Sequence, residues 1–315
     1  MSQERKNCIV VLGPTASGKT ALGVGLAHAF GGEVVSADSR QVYRGLDIGS
    51  GKDLAEYAVD GRPVRYHLID VVDLIREFSV FDYQRLFYEA FQGLVSGNVL
   101  PVVVGGTGLY LEAVLKGYRM VEAPENSELR GELSALSDEE LEARLRTLKP
   151  DLHNVTDLRD RERTVRAIEI AEHSLGHMPA PGPELRPLIL GTRWEREVLH
   201  KRIAQRLKER LDAGLLEEVE GLLAGGVDIE KLRSLGLEYR FVADYLDGTI
   251  KNRNDLFQKL NGAIRNFAKR QETWFRRMER NGAEITWISE GELGTALRIA
   301  AAEFPERVSE DVSQA

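Results

Sequence analysis

An unbroken apolar run, Cys8-Ile9-Val10-Val11-Leu12, leads straight into Gly13-Pro14-Thr15-Ala16-Ser17-Gly18-Lys19-Thr20, and a helical pattern starts at once behind it. Strand, glycine-rich turn and helix in that order leave few folds open. A short run that is apolar on both faces belongs in a parallel sheet. A turn of this kind at the strand's C-terminal end aims backbone N–H groups and a helix N-terminus at an anion. Gly13 and Gly18 permit the tight path, Lys19 adds a point charge, and the Thr20 hydroxyl is suited to a Mg2+ shared with phosphate oxygens. The octet therefore reads as a phosphate cradle, with its occupant and the chemistry done there left open.

The rest of the chain repeats the theme. Thr20 to Phe30 has helical periodicity and stops at Gly31-Gly32, and Glu33-Val34-Val35-Ser36-Ala37 reads as a second buried strand that delivers Asp38-Ser39-Arg40 to its C-terminal end. Arg65–Asp70 is expected to be a third strand, Phe81–Val95 a helix, and Val99–Val104 a fourth strand running into Gly105-Gly106-Thr107-Gly108. Strands alternating with helices predict an α/β fold, a P-loop-type parallel sheet flanked by helices. From residue 120 to 183 the strand-like runs stop and the chain turns charged and helical, with pieces near Ser137–Leu148 and Arg161–Leu175; Ser137 and Glu140 form a capping-box pattern. This stretch reads as an inserted helical subdomain, leaving 1–119 and 184–315 as the core. Leu188–Gly191 and Glu284–Ile288 resume strand character, with helices expected over Glu195–Ala213, Leu237–Leu246 and Asn252–Arg280 and from Glu292 on.

Composition narrows the function classes. No apolar run reaches the roughly 20 residues of a spanning helix, and the first residues lack a secretory h-region, so a cytoplasmic protein away from membranes is expected. The only cysteine, Cys8, lies in the first strand, and the six histidines show no zinc-ligand spacing. The net charge of −8 argues against indiscriminate nucleic-acid binding, but it is unevenly spread. Eight acidic residues and only Arg130 lie between Glu122 and Glu142, whereas Arg265 to Arg280 holds six basic residues and two acidic ones. A local basic face is compatible with a limited, specific nucleic-acid contact.

Asp38 stands close to the cradle in the expected sheet, where a carboxylate beside phosphate needs a reason. It is either a general base or the anchor of an Asx turn. Gly105–Gly108 is either a ligand loop with the Thr107 hydroxyl on offer or a plain strand-to-helix turn. Asp70 has the placement of a Walker-B carboxylate, which would suit an NTPase or kinase, and equally that of an ordinary surface aspartate. Arg202 and Arg206 share a helical face, as do Arg159, Arg163 and Arg166, and Arg265, Lys269, Arg276 and Arg280 line up on another. Each stripe is a solvated face or part of a polyanion contact.

Together the stretches Gly13–Thr20, Asp38–Gly49, Gly105–Leu111, Arg163–Glu169, Leu199–Arg206 and Ala268–Arg276 resemble the tRNA dimethylallyltransferases, in the family's order and over nearly the whole chain. The resemblance implies transfer of a dimethylallyl group from dimethylallyl diphosphate to N6 of the adenosine 3′ to a tRNA anticodon. It implies that Thr15, Ser17, Gly18, Lys19 and Thr20 hold the diphosphate, with Mg2+ at Thr20. It gives Asp38 the amine proton, Thr107 the placing of adenine or diphosphate, and Arg206 the leaving-group charge. It assigns tRNA contact to Asp38, Ser39, Arg40 and Gln41, to Arg163 and Arg166, to Arg240, and to Lys269, Arg270, Gln271 and Arg276. A monomer is expected. Three stretches depart from the family pattern: Tyr66-His67-Leu68 in place of paired histidines, Ser50-Gly51-Lys52 in place of Thr-Ala-Lys, and Leu237–Phe241, where Glu238 is expected to put a negative charge beside the RNA backbone. Relatives that prenylate free adenine nucleotides share the cradle, so that acceptor remains an alternative, as does an NTPase.

Overall fold

The computed structural model describes residues 5–149, 160–175 and 179–307; Arg159 of the spaced arginines lies outside them. The chain divides into two units, one made of Met1–Lys116 with Pro183–Ala315 and the other of Gly117–Gly182.

The first unit opens with β1 (Cys8–Leu12), α1 (Lys19–Ala29) and β2 (Gly32–Ala37), followed by a small antiparallel hairpin of β3 (Ala58–Val59) and β4 (Arg62–Pro63). The expected third strand shrinks to β5 (Tyr66–His67). Beyond it Leu68 and Asp70 take φ of 62° and 56°, a left-handed path that no continuing strand follows. Then come α2 (Val80–Ser96), β6 (Leu100–Gly105) and α3 (Gly108–Leu115). Ser79 starts α2 with a capping box closed by Asp82.

The second unit holds α4 (Ser127–Ser134), α5 (Asp138–Leu148) and α6 (Arg161–His173) around Leu129, Leu133, Leu141, Leu145 and Ile168. Ser137 and Glu140 cap α5 reciprocally. Behind this small core Glu169 is buried and bonded by Arg130 at 2.8 and 3.0 Å and by the Asn126 N–H at 2.9 Å. Burial pushes its carboxyl up, but those bonds and one from Arg166 outweigh it and leave the group below its ordinary range.

Back in the first unit, the chain runs through β7 (Pro187–Arg193), α7 (Arg196–Asp212), α8 (Leu215–Ala224), α9 (Ile229–Ser234), α10 (Leu237–Leu246), α11 (Arg253–Arg280), β8 (Ile285–Ser289) and α12 (Leu293–Glu303). Helices α8 and α9 are not marked in the sequence pattern. The six strands form one parallel sheet in the order β5-β2-β6-β1-β7-β8, with Ile9 opposite both Val102 and Leu188. Strand β1 is buried throughout, as its unbroken apolar run requires. Two apolar layers enclose the sheet, one built on α1 and α12 and the other on α2 and α3, and a third cluster gathers α7 to α11. At 28 residues α11 is about 42 Å long. Among the described residues no helix is long and apolar enough to cross a membrane.

Candidate active site

The sheet brings the C-terminal ends of β2, β6, β1 and β7 side by side, and the loops that leave them make the site. From β1 the octet turns into α1, whose N-cap, Gly18, has φ 81° and no side-chain cap, so the first N–H groups of the helix stay available to an anion. The loop's carbonyls are tied outward. Arg202 Nε donates to Ala16 O at 2.9 Å, Trp194 Nε1 to Ser17 O at 2.9 Å, and Lys19 Nζ to Pro14 O at 3.4 Å. Two positions face inward instead. The Thr15 N–H is spent on Gln271 Oε1 at 2.8 Å, and the Ser17 hydroxyl is fully buried against Thr192 Oγ1 at 2.6 Å. The Thr15 amide and the Ser17 hydroxyl are thus spent inside the fold, which leaves the Thr15 hydroxyl and the Ser17 N–H as the groups these two residues could offer a diphosphate. Gly18, Lys19 and Thr20 do border open space, a cleft of about 970 Å3.

Arg206 and Arg210 of α7 line the same cleft, together with Asp53 and Glu56. Arg206 pairs with Asp53. Burial draws the Lys19 ammonium down to about 8, and Arg206 pushes the same way against Asp38. Burial likewise raises the Glu56 carboxyl, with Arg206 opposing. Arg210, absent from the expected set, is only 12 % exposed in its side chain and sits 3.3 Å from Glu238. Burial and Arg206 lower its basicity. Glu238 is thus folded against a cation rather than set beside an RNA backbone, because a partly buried carboxylate is costly without one.

At the end of β2, Asp38 Oδ1 accepts from the Arg40 N–H at 2.8 Å and the Gln41 N–H at 3.4 Å, which is an Asx turn. Among the described residues nothing bonds its Oδ2. Thr107, from β6, accepts the Ser39 N–H at 3.1 Å on its hydroxyl, so the two strand ends are pinned together. Gln41 does not face outward as a tRNA contact. Its amide is buried, accepting from Ser36 Oγ at 2.9 Å and donating to Gly51 O at 3.0 Å. The glycine-rich segment after it is irregular but heavily anchored: Glu218 accepts the N–H groups of Asp47, Ile48 and Gly49 at 3.0, 2.6 and 3.0 Å. Buried Lys52 binds Tyr43 O at 2.8 Å and the carboxylates of Asp47 and Asp70. Asp70 is therefore the counter-charge of a buried lysine and takes no part in lining the Lys19 cleft, which removes it as a Walker-B ligand.

Gln271 of α11, expected at the RNA, is buried and bridges two loops. Its Nε2 donates to Gly106 O at 2.9 Å while its Oε1 holds Thr15. A Cβ on Gly106 would lie 2.4 Å from that Nε2, so the contact needs glycine there. Lys269, Arg270, Arg276 and Arg240 are exposed, and Arg40 is half-buried, passing over Gly236. In the second unit Arg163 is exposed, whereas Arg166 donates to Ala123 O at 2.6 Å and pairs with Glu169 at 3.1 Å.

Residues 41–278 match the family profile described as IPP transferase. The chain belongs to that family. Residues 6–67 also match a profile described as isopentenyl transferase, which falls on the cradle and β2. Among similar proteins, tRNA dimethylallyltransferase 1 of Geotalea uraniireducens is 60 % identical over 282 residues, covering 90 % of this chain and 92 % of that protein. tRNA dimethylallyltransferase 2 of Syntrophotalea carbinolica is 58 % identical over 284 residues, 90 % of this chain and 94 % of that one. The crystal structure of the full-length tRNA isopentenylpyrophosphate transferase of Bacillus halodurans superposes with a TM-score of 0.67 at 32 % identity, over 96 % of this chain and 98 % of that one. Within this IPP transferase framework the residues that sequence reasoning missed are Gln271 in its clasping role, Arg202 on Ala16, Arg210, and Glu218. Arg202 and Arg210 carried a signal, since each lies four residues from Arg206 on one helical face.

Proposed function

We propose that the protein transfers a dimethylallyl group from dimethylallyl diphosphate to N6 of the adenosine immediately 3′ of the anticodon in tRNA. What carries this reading is one cleft in which an uncapped helix N-terminus, Lys19 and Arg206 converge, next to a strand end where Asp38 keeps Oδ2 free. N6 attacks C1 of the allyl group, the C1–O bond breaks, and diphosphate departs with the bonding pair. The proton of the amine passes to Asp38. Charge grows on the diphosphate as the bond breaks, so fixed cations and helix N–H groups stabilise the transition state more than the ground state. Thr107 supports the same step by holding the Asp38–Ser39 turn.

Mg2+ fits as an ion that arrives with the diphosphate. Among the described residues no three His, Cys, Asp or Glu side chains gather as a metal site, and Thr20 offers one neutral hydroxyl at the cleft. When bound, the ion would offset diphosphate charge with Thr20 as its protein ligand.

The tRNA acceptor is supported by the names of the relatives and by exposed Arg163, Arg240, Lys269, Arg270 and Arg276. An adenine must leave its stack to reach Asp38, and a hairpin loop makes that inexpensive. A cytoplasmic location goes with that substrate. The test is mass spectrometry of nucleosides from bulk tRNA incubated with the protein and labelled dimethylallyl diphosphate, with AMP and ATP as parallel substrates. The expected product is N6-dimethylallyladenosine in tRNA; label entering AMP alone, or phosphate released from ATP with unlabelled RNA, would overturn the reading.

A further inference from the structure

A second cleft, of about 810 Å3, opens beside the cradle and shares no lining residue with the Lys19 cleft. Pro14 of the octet forms part of its wall, and the rest comes from the end of β7 with Trp194 just past it, the first two turns of α7, the middle of α11 and Trp287 of β8. Arg193, Arg196, Arg265, Lys269 and Arg276 line it against a single carboxylate, Glu272. Arg276 pairs with Glu272 at 3.2 Å; the other four cations have no carboxylate partner among the described residues. Arg265 Nε is buried without any hydrogen-bond partner, and Arg193 is stacked 4.5 Å over the Trp287 ring. Helix α7, which begins here at Arg196, has no side-chain cap.

In a chain with eight more acidic than basic residues, four unpaired cations drawn from three separate elements around one concavity is not what a solvated helix face produces. Like charges held together with an uncapped helix N-terminus repel one another until an anion enters. A phosphate group supplies that counter-charge, since guanidinium forks and phosphate oxygens match in geometry.

We propose that this cleft is a phosphodiester seat for the acceptor RNA, separate from the diphosphate site, in which Arg193, Arg196 and Arg265 grip the backbone beside the nucleotide being modified. The proposal rests on the reading that the acceptor is an RNA. The backbone is favoured over a free nucleotide because the cleft continues onto the exposed basic face of α11, where Lys269 and Arg276 extend the same track. Phosphate contacts of this kind set register without reading sequence.

The test uses the full chain and a synthetic anticodon stem-loop RNA, with Kd measured by fluorescence anisotropy across a salt series. Arg196→Ala with Arg265→Ala should weaken RNA binding about tenfold or more at moderate salt and flatten the log Kd against log salt slope by about 1.5, as two lost phosphate contacts require. The affinity for dimethylallyl diphosphate without RNA should stay within about twofold, because the two clefts are distinct. Arg85→Ala with Arg298→Ala removes equal charge from exposed positions away from the cleft and from α11, and should change the RNA Kd by less than about twofold. An unchanged Kd in the first pair, or an equal loss in the second, overturns the proposal. His200, which lines the cleft, serves as a reporter in selectively labelled protein: saturation of its ring resonance by micromolar AMP or inorganic phosphate would make this a small-anion site and overturn the RNA assignment. Prenylation of RNA by the wild-type chain, run in parallel, separates the two ideas. Its absence removes the proposed function and this seat with it, whereas normal prenylation with an unaffected cleft variant removes the seat alone.

Discussion

Replacing Asp38 with asparagine separates the Asx turn that one carboxylate oxygen holds from the proton transfer proposed for the other. Oδ1 accepts the N–H groups of Arg40 and Gln41 at 2.8 and 3.4 Å, and an asparagine Oδ1 can accept both. The Asx turn, the Thr107 bond to Ser39 and the floor of the site should therefore survive in Asp38→Asn, with stability within about 0.5 kcal/mol of the wild type. What is lost is the oxygen proposed to take the proton from N6. General-base catalysis is worth about 10²- to 10⁴-fold, so the single-turnover rate of transfer to an anticodon stem-loop should fall by that factor, about 3–5 kcal/mol of barrier. Asp38→Ala should lose the same rate and, in addition, about 1–2 kcal/mol of stability as the turn loses its acceptor. Rapid-quench measurement of labelled dimethylallyl entering RNA, a urea melt of each variant and titration with pyrophosphate suffice. A rate within threefold of wild type in Asp38→Asn, with intact melting and pyrophosphate binding, would remove Asp38 from proton transfer and leave it as the anchor of a turn.

Lys19 gives a pH signature: with its ammonium drawn down to about 8 in the free protein, pyrophosphate affinity should fall by about tenfold per pH unit above that point, since the anion selects the protonated form. The native state then binds fewer protons than the unfolded chain from pH 8 up to the ordinary lysine value, so the Lys19 contribution to stability should improve with pH in that window; calorimetric titration and melts from pH 7 to 9.5 check both, and a flat affinity refutes the first. Gln271→Met keeps the shape but leaves the Thr15 N–H and the Gly106 carbonyl unpaired, and it should cost about 2–4 kcal/mol in a urea melt; a loss under 0.5 kcal/mol would mean the clasp does not hold in solution. Glu238→Ala strands Arg210 in a site that is only 12 % exposed and should destabilise by about 2–4 kcal/mol, whereas an exposed glutamate beside RNA would be lost at no cost in stability.

The elements that the sequence predicts best are those whose residues have one environment along their whole length. β1, β2, β6 and α11 are of this kind, with unbroken apolar runs for buried strands and a long amphipathic repeat for the helix. The stretch Arg65–Asp70 fails as a strand because its pairing with β2 ends after Val35 opposite His67, and the chain then turns through left-handed residues to bring Asp70 to Lys52. No local pattern announces a counter-charge 18 positions away. The same holds at the site. The octet is legible because its constraints are local: a tight turn, a helix start and a lysine. The clasp by Gln271 spans 256 positions and the bond from Arg202 to Ala16 spans 186, so both are consequences of topology. Gln41 shows the reverse error: a polar residue in a motif looks like a ligand contact until its amide proves to be spent inside the fold.

Those long-range ties also say what kind of machine the cradle is. A loop that only had to bind an anion could rely on its own glycines and helix. Here the octet is gripped through Thr15 by α11 and through Ala16 by α7. Each of these helices also contributes a face to the second, cation-lined cleft, where Arg196 and His200 stand on α7 and Arg265 and Lys269 on α11. The cradle's shape therefore depends on where α7 and α11 sit, and a substitution that shifts either helix reaches the octet through Ala16 or Thr15 without touching the octet itself.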